Sequence, residues 1–583
     1  MDRDMDSGNI KFGSMNSDNI QFGVSTIVGR LLLIVLLLSL SSGLCWSDNN
    51  QDSAAESPAA ESPVASAEEI GELVEQLGND RYVLREQAQA RLEELGAATF
   101  DALANALNHD DLEVTNRVRF LLGKIRFNWS NSDDPPIVQE LLKNFATKEE
   151  SRRIAIIDFL AENDREGVAQ ALCRIVRYDR SHRVSKRAAL AMMLHWMPLP
   201  EMVGSRDELI LRELGDTTRE AADWYRTFAK ARAPQNKANS RSWLEKLQSM
   251  ANAEHRNTVA GQEGTGTDVA SRFRYLVADM YATLGDSASA EANADAALLA
   301  GGGNAEHRLE VIPHLELRGH FAWAEREYNR VMEIAPGNTY FGRRARRSLC
   351  DMLHDQGRTE EAASNYRLLM ELIKKPGERF RDLELGQQTM QVQMHYLDSL
   401  RYEKQGDFTK QAAALETAAK GRSSHPDVLI SLYRLKNRTD EERATDKRRI
   451  QSAITNFRTY IQQVRRGHGA NRFAPGSISA IQHARTAAQA HNQFAWLVGN
   501  TFGEVDPDLA DEAIKASHTS LKYRPQEFAF MDTLARCYYA RGDLDSAIKY
   551  QKQALALNPH SGLLLGQLKL FEDKLAESNS ATP

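Results

Sequence analysis

Three kinds of residue in this chain could do chemistry: cysteines, histidines and clustered charges. The four cysteines stand at 45, 173, 350 and 537. None lies in a CxxC, CxxCH or zinc-type spacing, so a metal ribbon, a c-type haem site and a disulfide framework all lack support. Cys173, Cys350 and Cys537 fall beside the packing positions of helical patterns. A thiol there acts as a small hydrophobe rather than a nucleophile. The 15 histidines are dispersed. His182, His195, His354 and His395 have no second histidine at i+4, the simplest geometry for a metal pair. No HExxH, GxSxG or Walker A sequence occurs. The glycine cluster GQEGTGTD at 261–268 follows no strand and precedes no Gly-Lys-Ser/Thr, so it reads as a flexible loop. Acidic pairs such as Glu360-Glu361 and Glu441-Glu442 read as solvated faces or caps. The expectation is therefore no catalytic residue, no metal site, no cofactor and no enzymatic activity.

Charge clusters are the remaining lead. Arg343, Arg344, Arg346 and Arg347 form one; Arg443, Lys447, Arg448 and Arg449 a second; Arg465, Arg466, His468 and Arg472 a third. A charge run is usually a solvated face; the alternative is a site for an acidic ligand.

The elements that carry these residues follow from composition and pattern. At 583 residues and 65.4 kDa the chain is too long for one compact core, which leaves several domains or a repeat array. Hydrophobic residues make up 42% and charged residues 26%, a balance that predicts a mostly folded chain. With only 16 prolines and 7% aromatics, an α-rich fold is expected over a long all-β one. The net charge of −7 gives no bias toward nucleic acid or an anionic membrane, so no nucleic-acid partner is expected.

Residues 31–40 read LLLIVLLLSL, with Arg30 before them and Ser41, Ser42 and Gly43 after. This predicts a secretory signal peptide. The alternative is an uncleaved anchor, with membrane attachment through residues 24–46. Leu44 before Cys45 is too large for a lipoprotein box. Asp2, Asp4, Asp6 and Asp18 spoil a positive leader, so the start could lie at Met15. The leader is taken as 1–46. AAESP, repeated at 54–58 and 59–63, marks a disordered linker over 47–68.

From 69 to 228 apolar residues recur at helical spacing, as in Leu73, Leu77, Leu84, Ala88, Leu92 and Leu95. A polar turn precedes an arginine-bearing second helix three times: Asp80 before Arg85, Asp111 before Arg117, Ser181 before Arg187. Such pairs resemble HEAT repeats; a plain α-helical bundle is the alternative. A helical connector and loop follow over 229–269.

From 270 the period becomes sharp. The final copy, 528–561, has Leu534-Ala535, Tyr538, Gly542-Asp543, Ala547, Ala554 and Pro559. The glycine permits a left-handed turn, the alanines let helices approach, and the proline ends the second helix. These residues resemble the tetratricopeptide repeat (TPR). Val277, Ala278, Tyr281, Gly285, Ala290 and Ala297 repeat the pattern, as do Leu315, Gly319, Ala324, Tyr328 and Pro336. Leu349, Leu353, Gly357, Ala362 and Tyr366 mark another copy, and Tyr402, Gly406-Asp407-Phe408 and Ala418 a further one. The penultimate unit holds Ala495-Trp496-Leu497, Ala513, Ser520 and Pro525 around an enlarged turn. Leu563 to Leu575 resembles a capping helix. The layout is also similar to secreted TPR proteins of planctomycete-type bacteria.

The resemblance implies an all-α helix-pair solenoid, HEAT-like in front and TPR behind. Its array covers 270–436, an insertion 437–480, a C-terminal pair with capping helix 481–575, and a disordered tail 576–583. It further implies that the second, fifth, ninth and twelfth positions of each first helix face a concave groove. By that register Arg272, Tyr275 and Asp279 line it in one unit, and Arg344, Arg347, Asp351 and His354 in another. Such a groove would hold an acidic segment of a protein partner. The ninth positions are Asp279, Pro313, Asp351 and Leu400, not the asparagine of a chaperone clamp. The implied function is an exported, non-enzymatic scaffold for protein partners. The alternatives are an accessory or regulatory subunit of an envelope enzyme, an enzyme whose site lies in 437–480, and a membrane-anchored spacer.

Overall fold

The computed structural model describes residues 65–580, except 126, 163–166, 196–202, 234–238, 338, 374–382, 422–423 and 467–477. The expected leader, Cys45, most of the linker, His468 and Arg472 lie outside the described residues. Among those described, every regular element is helical, and consecutive helices pack in pairs. This is the all-α helix-pair solenoid that the pattern predicts. No helix of the described residues is long and apolar enough to cross a membrane. Contacts divide the chain into two units, one ending at Glu327 and the other formed by Tyr328–Ala470 and Gln482–Pro583.

The first unit begins with α1 (Ala67–Gln76), α2 (Tyr82–Leu95), α3 (Phe100–Asn105), α4 (Leu112–Lys124) and α5 (Pro136–Leu142). Then come α6 (Glu150–Glu162), α7 (Val168–Tyr178), α8 (His182–His195), α9 (Val203–Leu214) and α10 (Glu220–Arg232). The expected connector contains a 20-residue helix, α11 (Ser240–Val259), and the repeats start with α12 (Thr267–Thr283), α13 (Ser287–Ala300) and α14 (Ala305–Leu317). α15 (Phe321–Ile334) crosses into the second unit. Apolar residues from α1, α2, α3 and α4 make one core around Leu77, Leu92, Leu103 and Val118. The second-helix arginines tie pairs together: Arg117 bonds Glu113 on its own helix and Glu86 and Gln89 on α2.

The second unit contains α16 (Tyr340–Asp355), α17 (Thr359–Ile373), α18 (Leu383–Lys404) and α19 (Phe408–Gly421). α20 (Pro426–Arg434), α21 (Asp440–Arg466), α22 (Ile478–Gly499) and α23 (Pro507–Tyr523) follow. α24 (Phe528–Arg541), α25 (Leu544–Leu557) and α26 (Gly562–Ser580) close it. α26 is the expected capping helix, but it runs on to Ser580, past the boundary at 576. The described part of 437–480 is chiefly α21, a 27-residue helix. Its Ile450, Ala453, Ile454 and Phe457 join Phe494, Val498 and Ala513 in one core, so α21 packs into the array.

Local signals set the helix ends. Gly542 ends α24 at φ 87°, a conformation open to glycine without strain. Asp543 then caps α25 by accepting from the Ser546 N–H at 3.0 Å. Ala547 and Ala554 are 0% exposed, and their small side chains let α25 pack closely on its neighbours.

Candidate functional site

The expected groove residues of the first unit are turned inward to neighbouring helices. Arg272 is 3% exposed and donates to Glu310 at 2.7 Å. Tyr275 is 2% exposed and donates its hydroxyl to Glu327 at 2.8 Å. Glu327 also accepts from Arg308 at 2.6 Å, inside a site that is closed to water. Asp279 lies 2.8 Å from Nε2 of His320. Arg272 and Tyr275 thus hold successive helices together and do not present an open binding face, which corrects the simple reading of their register.

In the second unit the same register gives a different picture. Arg344, Arg347, Asp351 and His354 on α16 are all half-buried. Arg347 shares a hydrogen bond with Tyr366 of α17, and its neighbour Arg346 donates to Asn365 at 2.9 Å. Burial pushes His354 down to about 4, so its imidazole is neutral near pH 7. Its Nδ1 is buried and makes no hydrogen bond among the described residues.

From His354 a series of side-chain contacts links helices of the unit. The His354 and Tyr396 rings meet edge to face at 6.4 Å, joining α16 to α18. Tyr396 lies 6.4 Å from His425, which opens α20. Asp427 on α20 accepts from the Trp496 indole on α22 at 2.8 Å. Arg434 donates to the Asn500 side chain at 2.7 Å. Arg536 on α24 donates to the Gly499 carbonyl at 3.1 Å and pairs with Glu504. Asp532 on α24 accepts from Gln551 of α25 at 2.8 Å and from Gln567 of α26 at 2.7 Å. The row then returns to its start, because Ser561, just before α26, donates to Asp355 at the end of α16 at 2.7 Å.

Burial perturbs the ionisable groups of this row. His354, Asp427 and Asp532 are each only partly buried, yet burial is the first cause of a large shift in all three. Asp427 is pushed up to about 6 and Asp532 up to about 7.

The three described cysteines are buried and free of disulfides. Burial pushes all three thiols up, Cys537 to about 12, which removes thiolate character and leaves a packing role. Among the described residues, no group of three or more His, Cys, Asp or Glu is placed to hold a metal ion. The second arginine cluster lies on α21. Arg443 donates to the Lys436 carbonyl at 3.0 Å, and Arg449 pairs with Glu416 of α19. Arg465 and Arg466 are exposed. Sequence reasoning missed the pairings of Asp427, Trp496, Asp532 and Gln567; only Trp496 and Asp532, on α22 and α24, fall in helices that the repeat pattern marks.

The fold and this row define a helix-pair repeat protein whose successive helices are joined by polar and aromatic contacts. Residues 528–561 match the TPR_2 family model, described as tetratricopeptide repeat. They include Asp532 and Arg536. No curated protein sequence matches the chain. Among solved structures, the APC/C hetero-tetramer Cut9–Hcn1 is similar at 13% identity, covering 86% of this chain and 87% of that one, with a TM-score of 0.24. The P58(IPK) TPR domain is similar at 14% identity, covering 61% and 99%, with a TM-score of 0.15. A circular tandem repeat protein is similar at 12% identity, covering 85% and 100%, with a TM-score of 0.12.

Proposed function

We propose that this chain is an exported, non-catalytic scaffold that holds a segment of a protein partner along the inner wall of its second unit. The observation that carries this reading is the row from His354 to Gln567, in which polar and aromatic side chains of successive helices meet in pairs, with His354, Tyr396, Asp427, Trp496, Asp532 and Gln567 partly exposed. An extended segment laid along this row meets hydrogen-bonding groups and rings at every repeat, and the array tolerates them because each pair needs only its neighbours for stability. Export rests on the apolar run at 31–40.

The test is steric. Arg344→Trp with Gln393→Trp, both at second positions of first helices, is compared with Gln553→Trp on the exposed side of α25. Pull-downs with full-length protein are expected to lose at least tenfold in partner capture for the inner-wall pair and nothing for the control. Equal capture by both, with unchanged melting temperatures, would refute the inner-wall assignment. Fractionation with N-terminal sequencing tests export: a chain retained in the cytoplasm with its first residues intact counts against it.

A further inference from the structure

We propose that the exposed face of α21 docks an acidic segment of a protein partner, whose carboxylates are received by Lys447, Arg448, Arg465 and Arg466. This face is separate from the row between His354 and Gln567, which contains no residue of α21.

In the sequence these cations fall in two separate clusters of an expected insertion. The structure joins them on one continuous helix. A spacing of 7, 11 or 18 residues returns an α-helix to nearly the same side. Lys447, Arg458 and Arg465 therefore stand on one line, with Arg448 and Arg466 on a second line beside it. Lys447, Arg448, Arg465 and Arg466 are exposed, and so are Gln451, Thr455 and Gln462 between them. The opposite side of the helix carries Ile450, Ala453, Ile454 and Phe457 into the core. At 1.5 Å per residue the stripe is about 27 Å long from Lys447 to Arg465. From residue 447 to residue 503 the chain has no Asp or Glu, although its net charge is −7.

The other charges of α21 have partners. Arg449 pairs with Glu416 of α19 and with Asp446, and Arg458 pairs with Glu512 of α23. Arg443 donates to the Lys436 carbonyl. Asp440, Glu441 and Glu442 are confined to the first turn. Arg448 donates to the Thr445 hydroxyl at 3.0 Å, but neither it nor Lys447, Arg465 or Arg466 has a salt bridge among the described residues. The uncompensated charge is felt on α22, where burial first and Arg465 second push His491 below its ordinary value. A last-turn position suits Arg465 and Arg466 to the helix dipole, but it gives no reason for Lys447 and Arg448. A merely solvated face mixes its signs, as α25 does with exposed Asp545, Lys549 and Lys552.

The flanks of the stripe set the width of its occupant. Glu512 borders it on the α23 side and Glu416 on the α19 side. A bilayer or a nucleic-acid duplex is wider than one helix and would meet these acids as well. A single protein segment lying along α21 meets the cations and the uncharged Gln451, Thr455 and Gln462. Arginine forks and the lysine ammonium bind carboxylates through charge-assisted hydrogen bonds, and the amides and hydroxyl can bond the groups between. Charge complementarity thus selects carboxylates, and the narrow stripe selects a protein segment to carry them.

Full-length protein is titrated by fluorescence anisotropy with three labelled probes: an 18-residue Glu/Ala peptide with its glutamates on one helical face, its Lys/Ala counterpart, and a 20-base-pair DNA duplex. Co-sedimentation with phosphatidylglycerol vesicles is measured beside them. The Glu/Ala peptide is expected to bind. Lys447→Gln, Arg448→Gln, Arg465→Gln and Arg466→Gln combined are expected to weaken it at least tenfold with the melting temperature retained. Lys549→Gln, Lys552→Gln, Lys569→Gln and Lys574→Gln combined remove the same charge from α25 and α26, and are expected to leave binding within twofold of the parent. Equal losses from the two sets would reduce the binding to net charge and overturn the stripe. Preferential binding of the Lys/Ala peptide overturns its sign. Duplex or vesicle binding in place of the Glu/Ala peptide overturns the choice of a protein segment. Glu/Ala binding that survives the α21 set but is lost with Arg344→Trp and Gln393→Trp overturns the role of α21 and leaves the inner-wall reading standing. Failure of every probe to bind overturns the proposal outright.

Discussion

Asp532 is the most perturbed carboxyl of the row from His354 to Gln567, and its behaviour follows from its neighbours. Desolvation raises it to about 7, against an ordinary aspartate near 4. The folded protein therefore binds a proton that the unfolded chain has already released. That contribution to stability is fully present below about pH 4 and is lost as the pH rises through about 7. Asp532→Asn keeps an oxygen to accept from Gln551 and Gln567 but cannot ionise. It is expected to flatten the melting temperature between pH 6 and 8 and to raise it at pH 8 by about 2–4 °C. Scanning fluorimetry across that range measures this; a variant as pH-dependent as the parent would place the titration elsewhere.

At the scale of elements, the contact between α26 and α16 is the one that sequence distance hides best. Ser561 and the Leu563 N–H both reach Asp355, at 2.7 and 3.5 Å. Gly562 leaves no room for a side chain, since a Cβ there would stand 2.4 Å from the Asp355 carbonyl oxygen. Asp355→Ala removes the acceptor and is expected to speed amide exchange over residues 558–566 at least tenfold. Asp355→Asn, which retains an oxygen, is expected to stay near the parent. Equal exchange in all three proteins would mean that the contact holds nothing in place. The example also shows what a sequence can tell. Turn glycines, buried alanines and the final proline are dictated inside one repeat, so Gly542, Ala547 and the α24–α25 hairpin are legible from residue type and spacing alone. Partners across repeats depend on how successive pairs twist against each other. Nothing local in the chain announces that Trp496 meets Asp427, or that Arg272 turns to Glu310. The stretch 437–480 reads as an insertion because α21 is rich in charge and breaks the repeat register. Its apolar residues nevertheless recur on one face, and that face supplies the core.

At the scale of the whole molecule, stability is distributed among neighbours, and each of the two units has its own critical contacts. In the first unit a buried charge cluster joins three helices far apart in sequence. Arg187 of α8, 1% exposed, bonds both oxygens of Asp158 of α6 at 2.5 and 2.7 Å and lies 3.6 Å from Asp268 of α12. Burying this many charges is weak evidence of added stability, but removing one partner leaves the others uncompensated, at a cost of about 3–5 kcal/mol. Arg187→Ala is therefore expected to destabilise α6, α8 and α12 by that amount. Because a repeat array transmits stability only through neighbouring interfaces, the loss should fade with distance along the chain. Hydrogen exchange monitored peptide by peptide is expected to show lowered protection in the first unit and parent-like protection over residues 492–580, with unfolding in at least two steps. A uniform loss of protection from α1 to α26 would show instead that the chain folds as a single cooperative body. The row from His354 to Gln567 would then be coupled to a charge cluster with which it shares no residue.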